Sequence, residues 1–252
     1  MILRDAPSDL PSLRQQYELS QNASLSDVTE ARLRDEIVSG ILAPAARLRI
    51  DELRKRYDVG LSPLREAMNR LAEVGFIEAE SHRGARVTPV SFEGLQAIVE
   101  ARIPNETAAL RLSISRGTED WEARILGALH RLQRVTDRRL CALTGDRIAH
   151  FDRVELRHRE FHSVLLSACA SPWLQKICDT LSLQQERYFR LAVRCEGRRE
   201  LSRPELEADG YGALAQAVVS RETERACTLL TGHLQATLSA VPADHPLYKR
   251  AL

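Results

Sequence analysis

Residues 28–89 carry hydrophobic positions at helical spacing in three successive segments, followed by a short alternating stretch. The first predicted helix starts after a polar cap at Ser26 and Asp27 and stops at Gly40, which tolerates a left-handed backbone. The second, about Ile50 to Tyr57, is short and ends at a turn that contains a glycine. The pattern therefore predicts two helices joined by a turn, ahead of a third helix.

The third predicted helix places Leu64, Met68 and Leu71 on one inward face, at i, i+4 and i+7. Two strands with period-two alternation follow at residues 77–79 and 85–87, with a glycine at the tip between them. Three helices and a two-stranded ribbon in this order are typical of a winged helix-turn-helix. Double-stranded DNA is therefore the expected partner.

Candidate DNA-binding residues lie on the outer face of the third helix, in the wing and ahead of the second helix. In such proteins the N-terminal end of the third helix enters the major groove, which makes Arg65 the first candidate. The glycine-tipped ribbon can approach phosphate or the minor groove. The predicted DNA-binding residues are Arg49, Leu61, Ser62, Arg65, Asn69, Arg70, Arg83 and Gly84.

From Phe92 onward the apolar pattern is helical, in segments joined by short polar stretches. It predicts helices at residues 95–115, 119–136, 148–168, 172–194, 206–220 and 222–238. The fold class is thus mainly α: an N-terminal winged helix-turn-helix plus a C-terminal, all-helical antiparallel bundle. A bundle of this size can enclose a small ligand between facing helices, which is typical of a sensor attached to a DNA-binding module.

A chain of 252 residues accommodates two domains, predicted at 26–90 and 91–240, with a flexible arm at 1–25 and a loosely attached tail at 241–252. No apolar run is long enough to span a membrane, and the first residues lack the pattern of a secretion signal. A cytoplasmic location without membrane association is expected. The five cysteines are odd in number and show no CxxC spacing, so they are read as small buried hydrophobic residues.

His158 and His162 are four residues apart on one predicted helix, so two imidazoles can share a metal, and His233 can supply a third nitrogen. Two histidines at this spacing also occur without a bound metal, either on a solvent-exposed face or hydrogen-bonded within the core. Glu160 lies midway between the first two, about 200° around the helix from each, so it cannot act as the general base of a metalloprotease. We therefore expect no enzyme; the alternative is a helical metal-dependent enzyme that carries a DNA-binding module.

Two arginines on the predicted bundle are further candidates. Arg102 lies near an inward face, where its guanidinium can bind a carboxylate through two hydrogen bonds. Alternatively, the aliphatic part of the side chain packs on the surface and the guanidinium reaches solvent. Arg187, in the segment QQERYFRLAVR, belongs either to a pocket or to a charged face.

Several motifs between residues 27 and 238 resemble the GntR family of bacterial transcription factors, in the FadR-like subfamily with an FCD effector domain. They are PLREAMNRLAEVGFIE, the wing RGARV, the segment from Arg102 to Glu106, EFHSVLLSACASPWL and ALAQAVVSRETERACTLLTGHL. The resemblance implies a homodimer that binds an inverted-repeat promoter site, usually as a repressor, and is released by a small carboxylate. LRHREFHSVLLSACASPWL and ERYFRLA are similar to the carbon-starvation-induced, glutarate-responsive branch, which makes a short dicarboxylate the leading effector.

The resemblance also implies ligands for one divalent metal such as zinc. At the family's four ligand positions, an aspartate and three histidines, this chain has His158, His162, Tyr211 and His233. A phenol is a poor zinc ligand near neutral pH, so three histidines remain as metal ligands. The alternative is a metal-free pocket in which the same groups hydrogen-bond the effector. The effector site thus comprises Arg102, His158, His162, Arg187, Tyr211 and His233.

The DNA-binding segment departs from the family pattern as well. Asp51 and Leu61 stand where many relatives have arginines that reach DNA. Because those contacts would be missing, the operator sequence is expected to differ from that of better-known members.

Overall fold

The structure is a computed structural model that describes residues 23–80, 84–136, 147–196 and 208–250. It divides into two compact units: one runs to Ser91 and includes the C-terminal residues from Leu247, and the other spans Phe92–Pro246. The first unit combines helices with a small sheet and the second is helical. The predicted fold class, mainly α with a winged helix-turn-helix and a helical second domain, is confirmed.

The first unit follows the predicted order of three helices and a ribbon, with one additional strand. Its elements are α1 (Leu25–Val38), β1 (Arg47–Leu48), α2 (Ile50–Tyr57), α3 (Leu61–Glu73), β2 (Ile77–Glu80) and β3 (Gly84–Val87). The antiparallel sheet has the order β1-β3-β2. Gly40 has a φ of 75°, in the left-handed region that the sequence predicted for the end of the first helix.

The N-cap of the first helix lies two residues earlier than predicted. Ser24 is the N-cap: its hydroxyl accepts from the backbone N–H of Asp27 at 3.1 Å, and the Asp27 carboxylate accepts from the N–H of Ser24 at 2.8 Å. These hydrogen bonds, with help from Arg70, lower the pKa of Asp27 to about 2. Ser26 is buried instead and donates to the Glu66 carboxylate at 2.6 Å, so the prediction of Ser26 as the cap was wrong.

The core of the first unit contains the predicted apolar stripes and one buried acid. Leu33, Ile37, Leu64 and Leu71 are fully buried, whereas Ala31 on α1 is exposed. The carboxylate of Glu36 is buried beside them; it accepts a hydrogen bond from the Tyr57 hydroxyl at 2.6 Å and pairs with Arg56 at 2.9 Å and Arg32 at 2.9 Å. A buried carboxylate needs such partners to offset its desolvation.

Six helices form the described part of the second unit around one hydrophobic core. They are α4 (Phe92–Arg116), α5 (Glu119–Thr136), α6 (Arg147–Leu166), α7 (Pro172–Glu196), α8 (Ala208–Val219) and α9 (Thr223–Ala240). The predicted third bundle helix ends earlier than expected, because Ser167–Cys169 form a 3₁₀ turn and Ala170 is left-handed. Helix α4 contacts α6, α7 and α9, and α5 contacts α6 and α8. Cys169, Cys178 and Cys227 are buried as predicted, and Cys195 is half-buried; Cys141 lies outside the described residues.

The C-terminal tail is more ordered than the sequence predicted. Pro246–Arg250 form a short helix, α10, and Val241, His245 and Leu247 are buried. The expectation of loose attachment was therefore wrong for these residues. Within the described residues, no helix combines the length and the apolar composition that a membrane crossing requires.

Candidate functional site

The exposed face of α3 carries four of the eight predicted DNA contacts. Leu64, Ala67, Met68 and Leu71 are buried, which fixes the helix by its opposite face. The outer face exposes Leu61, Ser62, Arg65 and Asn69. Within the described part of the chain the guanidinium of Arg65 forms no ion pair with an acid, so its charge is available to a ligand.

Arg70, another predicted DNA contact, is engaged within the domain. Its guanidinium pairs with Asp27 at 2.6 Å, with Glu30 at 3.4 Å and with Glu66. The hydrogen bonds that Arg70 donates to Asp27 and Glu66 raise the pKa of Arg70 above its usual value. Arg70 therefore joins α3 to α1, although the sequence placed it on the outer face as a candidate DNA contact.

The wing and the start of α2 supply the remaining DNA candidates. Gly84 is exposed with a φ of 95°, and a Cβ there would meet no atom within 4 Å, so the backbone conformation and not space favours glycine. Arg83 lies outside the described residues. Arg49 pairs with Glu52 at 3.3 Å, but its side chain is 66% exposed, and an exposed pair of this kind contributes little and is readily exchanged.

A cluster of histidines lies inside the second unit. His158 and His162 on α6 and His233 on α9 have ligand nitrogens within 4.8 Å of one another. The Nε2 atoms of His158 and His233 are 3.3 Å apart, and the Tyr211 hydroxyl on α8 is 3.0 Å from His233 Nε2. The three nitrogens are close enough to share one divalent ion, and the four residues that the family resemblance grouped together are adjacent here.

Arg102 and Glu106 on α4 form a buried ion pair next to this cluster. Both side chains are 1% exposed, and the Arg102 Nε donates to Glu106 Oε1 at 2.5 Å. The second carboxylate oxygen, Oε2, lies 3.4 Å from His162 Nδ1. Burial raises the pKa of Glu106, but the charge of Arg102 and the contact with His162 outweigh it, so the pKa lies below its usual value.

The burial of Arg102 decides between the two alternatives that its sequence position left open. Its guanidinium pairs with a carboxylate inside the protein through Nε and does not extend to solvent. Among the described residues, Arg102 Nη2, Glu106 Oε2 and both ring nitrogens of His162 lack a hydrogen-bond partner. Unpaired buried polar atoms are costly, and their concentration at one place is typical of a ligand site.

A cavity of about 230 Å³ opens beside the Arg102–Glu106 pair, between α4, α6 and α7. Arg102, Glu106 and His162 form its buried end, and Ser163 and Asp179 lie at its exposed end. Further lining comes from Arg159, Leu166, Gln175, Cys178 and Ser182. Burial raises the pKa of Cys178 to about 12, which keeps this thiol protonated. His162 belongs to both the cavity and the histidine cluster.

The six predicted effector residues divide into three groups. Arg102 and His162 line the cavity, whereas His158, Tyr211 and His233 form the adjacent cluster. Arg187 is only 1% exposed, so its interpretation as part of a charged surface was wrong, and it does not line the cavity. The sequence interpretation missed Glu106 as a site residue, although its position four residues after Arg102 was a signal of an ion pair. The cavity-lining residues on α7, in contrast, showed no spacing in the sequence that would have indicated a site.

Comparisons with known proteins agree with both units. Residues 25–87 match the family described as bacterial regulatory proteins, gntR family, and residues 97–236 match the FCD domain. The chain is 36% identical over 219 residues to the uncharacterised HTH-type transcriptional regulator BphR of Paraburkholderia xenovorans LB400, covering 86% of this chain and 85% of that protein.

A second relative and a solved structure give the same result. The HTH-type transcriptional repressor GlaR of Escherichia coli K12 is 32% identical over 204 residues, which cover 80% of this chain and 89% of GlaR. The structure of E. coli McbR/YncC superposes with a TM-score of 0.71 at 20% identity, over 92% of this chain and 100% of that one, and so supports the fold.

Transcriptional regulators thus match at least 80% of the chain, and the prediction of a regulator in place of an enzyme is confirmed. A winged helix-turn-helix precedes a helical unit with a polar cavity, and each matches its own family. The chain belongs to the GntR family of bacterial transcriptional regulators, in the subfamily with an FCD domain.

Proposed function

We propose that this regulator is a repressor that binds an inverted-repeat operator as a homodimer and releases it when a small carboxylate occupies the cavity. The observation that carries the proposal is the buried guanidinium of Arg102 at the closed end of that cavity. Its Nη2 lacks a partner among the described residues, and a carboxylate is the ligand group that a guanidinium binds with the best geometry.

A short dicarboxylate such as glutarate is the proposed effector. One carboxylate would accept from Arg102 at the buried end, and the second would lie toward Arg159, which also lines the cavity. Arg159 pairs with Glu186 at 2.8 Å, so it would have to share its charge between that acid and the ligand. The similarity to the glutarate-responsive branch of the family supports this choice.

The histidine cluster is the proposed site of one divalent metal such as zinc, held by His158, His162 and His233. The donor set fits, because three imidazole nitrogens within 4.8 Å are ligands that zinc prefers and His162 has two nitrogens without hydrogen-bond partners. A bound metal would supply positive charge close to the effector carboxylate. In the absence of metal, the same imidazoles and the Tyr211 hydroxyl would hydrogen-bond the effector.

Fluorescence anisotropy with the chain's own upstream DNA tests the proposal. Labelled duplexes with the inverted repeat intact and with one half-site scrambled are titrated at fixed salt, because binding to phosphates depends steeply on salt. We expect preferential binding to the intact repeat and release by a short dicarboxylate. A tenfold loss of affinity requires the acid to bind the DNA-free state about 1.4 kcal/mol more tightly.

The matched control for release is a monocarboxylate of similar length. Equal affinity for intact and scrambled duplexes would contradict sequence-specific binding by a dimer. Specific binding that no carboxylate alters would contradict the effector assignment while leaving the DNA function in place.

A further inference from the structure

Three buried groups connect the cavity to the histidine cluster in one continuous series. The Arg102 Nε donates to Glu106 Oε1 at 2.5 Å, and Glu106 Oε2 lies 3.4 Å from His162 Nδ1. His162 in turn lies beside His158, with ring centroids 4.6 Å apart, and beside His233, at 5.2 Å. Glu106 is therefore the only described carboxylate placed between the cavity arginine and a candidate metal ligand by these contacts.

The position of Glu106 decides which nitrogen of His162 is available to a metal. A neutral imidazole carries one N–H, and a carboxylate next to Nδ1 favours the tautomer with the proton on that nitrogen. The lone pair is then on Nε2, and the contact between Nδ1–H and the carboxylate makes Nε2 a stronger electron-pair donor to a metal. The 3.4 Å between Glu106 Oε2 and His162 Nδ1 is longer than a good hydrogen bond, so the two atoms can move closer when a metal binds.

We propose that Glu106 is a positioning residue that holds His162 in the metal-binding tautomer and, through its ion pair with Arg102, couples metal affinity to effector binding. The inference rests on the metal and effector sites proposed above. When an effector carboxylate also binds the Arg102 guanidinium, the positive charge of Arg102 is divided between the effector and Glu106. The Glu106 carboxylate then becomes a stronger acceptor for the His162 Nδ1–H. Metal and effector then bind with positive cooperativity, and the coupling is reciprocal.

Zinc titration of the full chain against a chromophoric chelator tests the coupling, with and without glutarate. The wild type is expected to bind Zn²⁺ and to bind it more tightly in the presence of glutarate. Glu106→Gln removes the charge at nearly constant shape, and we expect zinc affinity to fall by about 10- to 100-fold. The enhancement by glutarate should be reduced in the same variant.

Glu119→Gln is the matched control. It makes the same substitution at an exposed position at the start of α5, and Glu119 belongs to neither the cavity lining nor the histidine cluster. Its zinc affinity is expected to stay close to that of the wild type. An equal loss in both variants would show a general electrostatic effect and would overturn the assignment to Glu106.

The tautomer supplies a readout that a purely structural role would not change. In ¹⁵N-histidine spectra of the metal-free protein, the His162 signals, assigned with His162→Gln, should report a proton on Nδ1 in the wild type and a shift toward the other tautomer in Glu106→Gln. If Glu106→Gln does not fold, Glu106→Asp keeps the charge but withdraws it from His162, and it should weaken zinc binding as well. Unchanged tautomer and zinc affinity in either folded variant would overturn the inference.

The outcomes separate this inference from the function on which it rests. A wild type that binds no zinc while its His162 carries the proton on Nδ1 would contradict the proposed metal site and the coupling together, but not the positioning by Glu106. A wild type that binds zinc, combined with an unaffected Glu106→Gln, would contradict the positioning role alone.

Discussion

At the scale of single residues, the ion-pair partners of each arginine determine whether its charge is available to a ligand. Arg65 and Arg70 lie five positions apart on α3, yet Arg65 is exposed whereas Arg70 is held by three acids. Arg102 is different again, because it is fully buried against Glu106. Removing only one member of such a buried pair leaves an uncompensated charge, which costs about 3–5 kcal/mol. Arg102→Lys is therefore a better probe of effector binding than a truncation.

Arg65→Ala tests the DNA-binding face. We expect operator affinity to fall by about 10- to 100-fold, since a single side chain that reads a base contributes about 1–3 kcal/mol. Anisotropy at fixed salt measures the change. The control is Arg124→Ala, which removes one positive charge from an exposed position of the second unit. Equal affinities for the two variants would show that Arg65 does not contact DNA.

At the scale of elements, close contacts at the helix ends fix how the bundle is joined. The α4–α5 joint is tight: a Cβ at Gly117 would lie 2.0 Å from Cε3 of Trp121. The Trp121 ring is buried, and its Nε1 donates to the backbone oxygen of Val164 at 2.8 Å. The guanidinium of Arg221 spans the joint, donating to the Gly117 oxygen at 2.8 Å. Glycine is therefore required here by space.

Gly117→Ala should destabilise the second unit by about 1–3 kcal/mol, because the indole must shift to make room for a methyl group. The matched control is Gly127→Ala in the middle of α5, where a Cβ would meet Arg131 at an ordinary 3.5 Å. That change should stabilise the unit by about 0.5–1 kcal/mol. Urea unfolding measures both, and tryptophan fluorescence reports on the second unit because Trp121 and Trp173 both lie in it. A Gly117→Ala variant as stable as Gly127→Ala would contradict the contact.

At the scale of the whole molecule, the candidate DNA-binding face and the cavity lie in separate compact units. Substitutions far apart that share no partner usually have additive effects. We therefore expect Arg65→Ala to leave zinc affinity unchanged and Glu106→Gln to leave the operator affinity of the metal-free protein unchanged. The double variant should show both losses in full. A zinc affinity that falls in Arg65→Ala would indicate coupling between the units even without effector, contrary to this expectation.

The sequence by itself determined the fold class and every described helix of the two domains except the short C-terminal one, but not every strand. The i, i+3, i+4 pattern that identifies a buried helix face depends only on residues close together in the chain, so α2 and α5 have the predicted bounds. Strand β1 was missed because two residues, Arg47 and Leu48, are too few to show alternation. The cap of α1 was misplaced because several polar residues there could serve, and only the paired hydrogen bonds of Ser24 and Asp27 select one.

Only the tertiary structure decided which chemical groups meet. His158 and His162 share a helix face and could be paired from their spacing, but the approach of His233 and Tyr211 depends on how α8 and α9 lie against α6. The α7 side of the cavity likewise depends on helix packing, which leaves no periodic signal in a single sequence. The sequence therefore specified the candidate groups through local spacing, whereas long-range contacts placed Glu106 between Arg102 and His162.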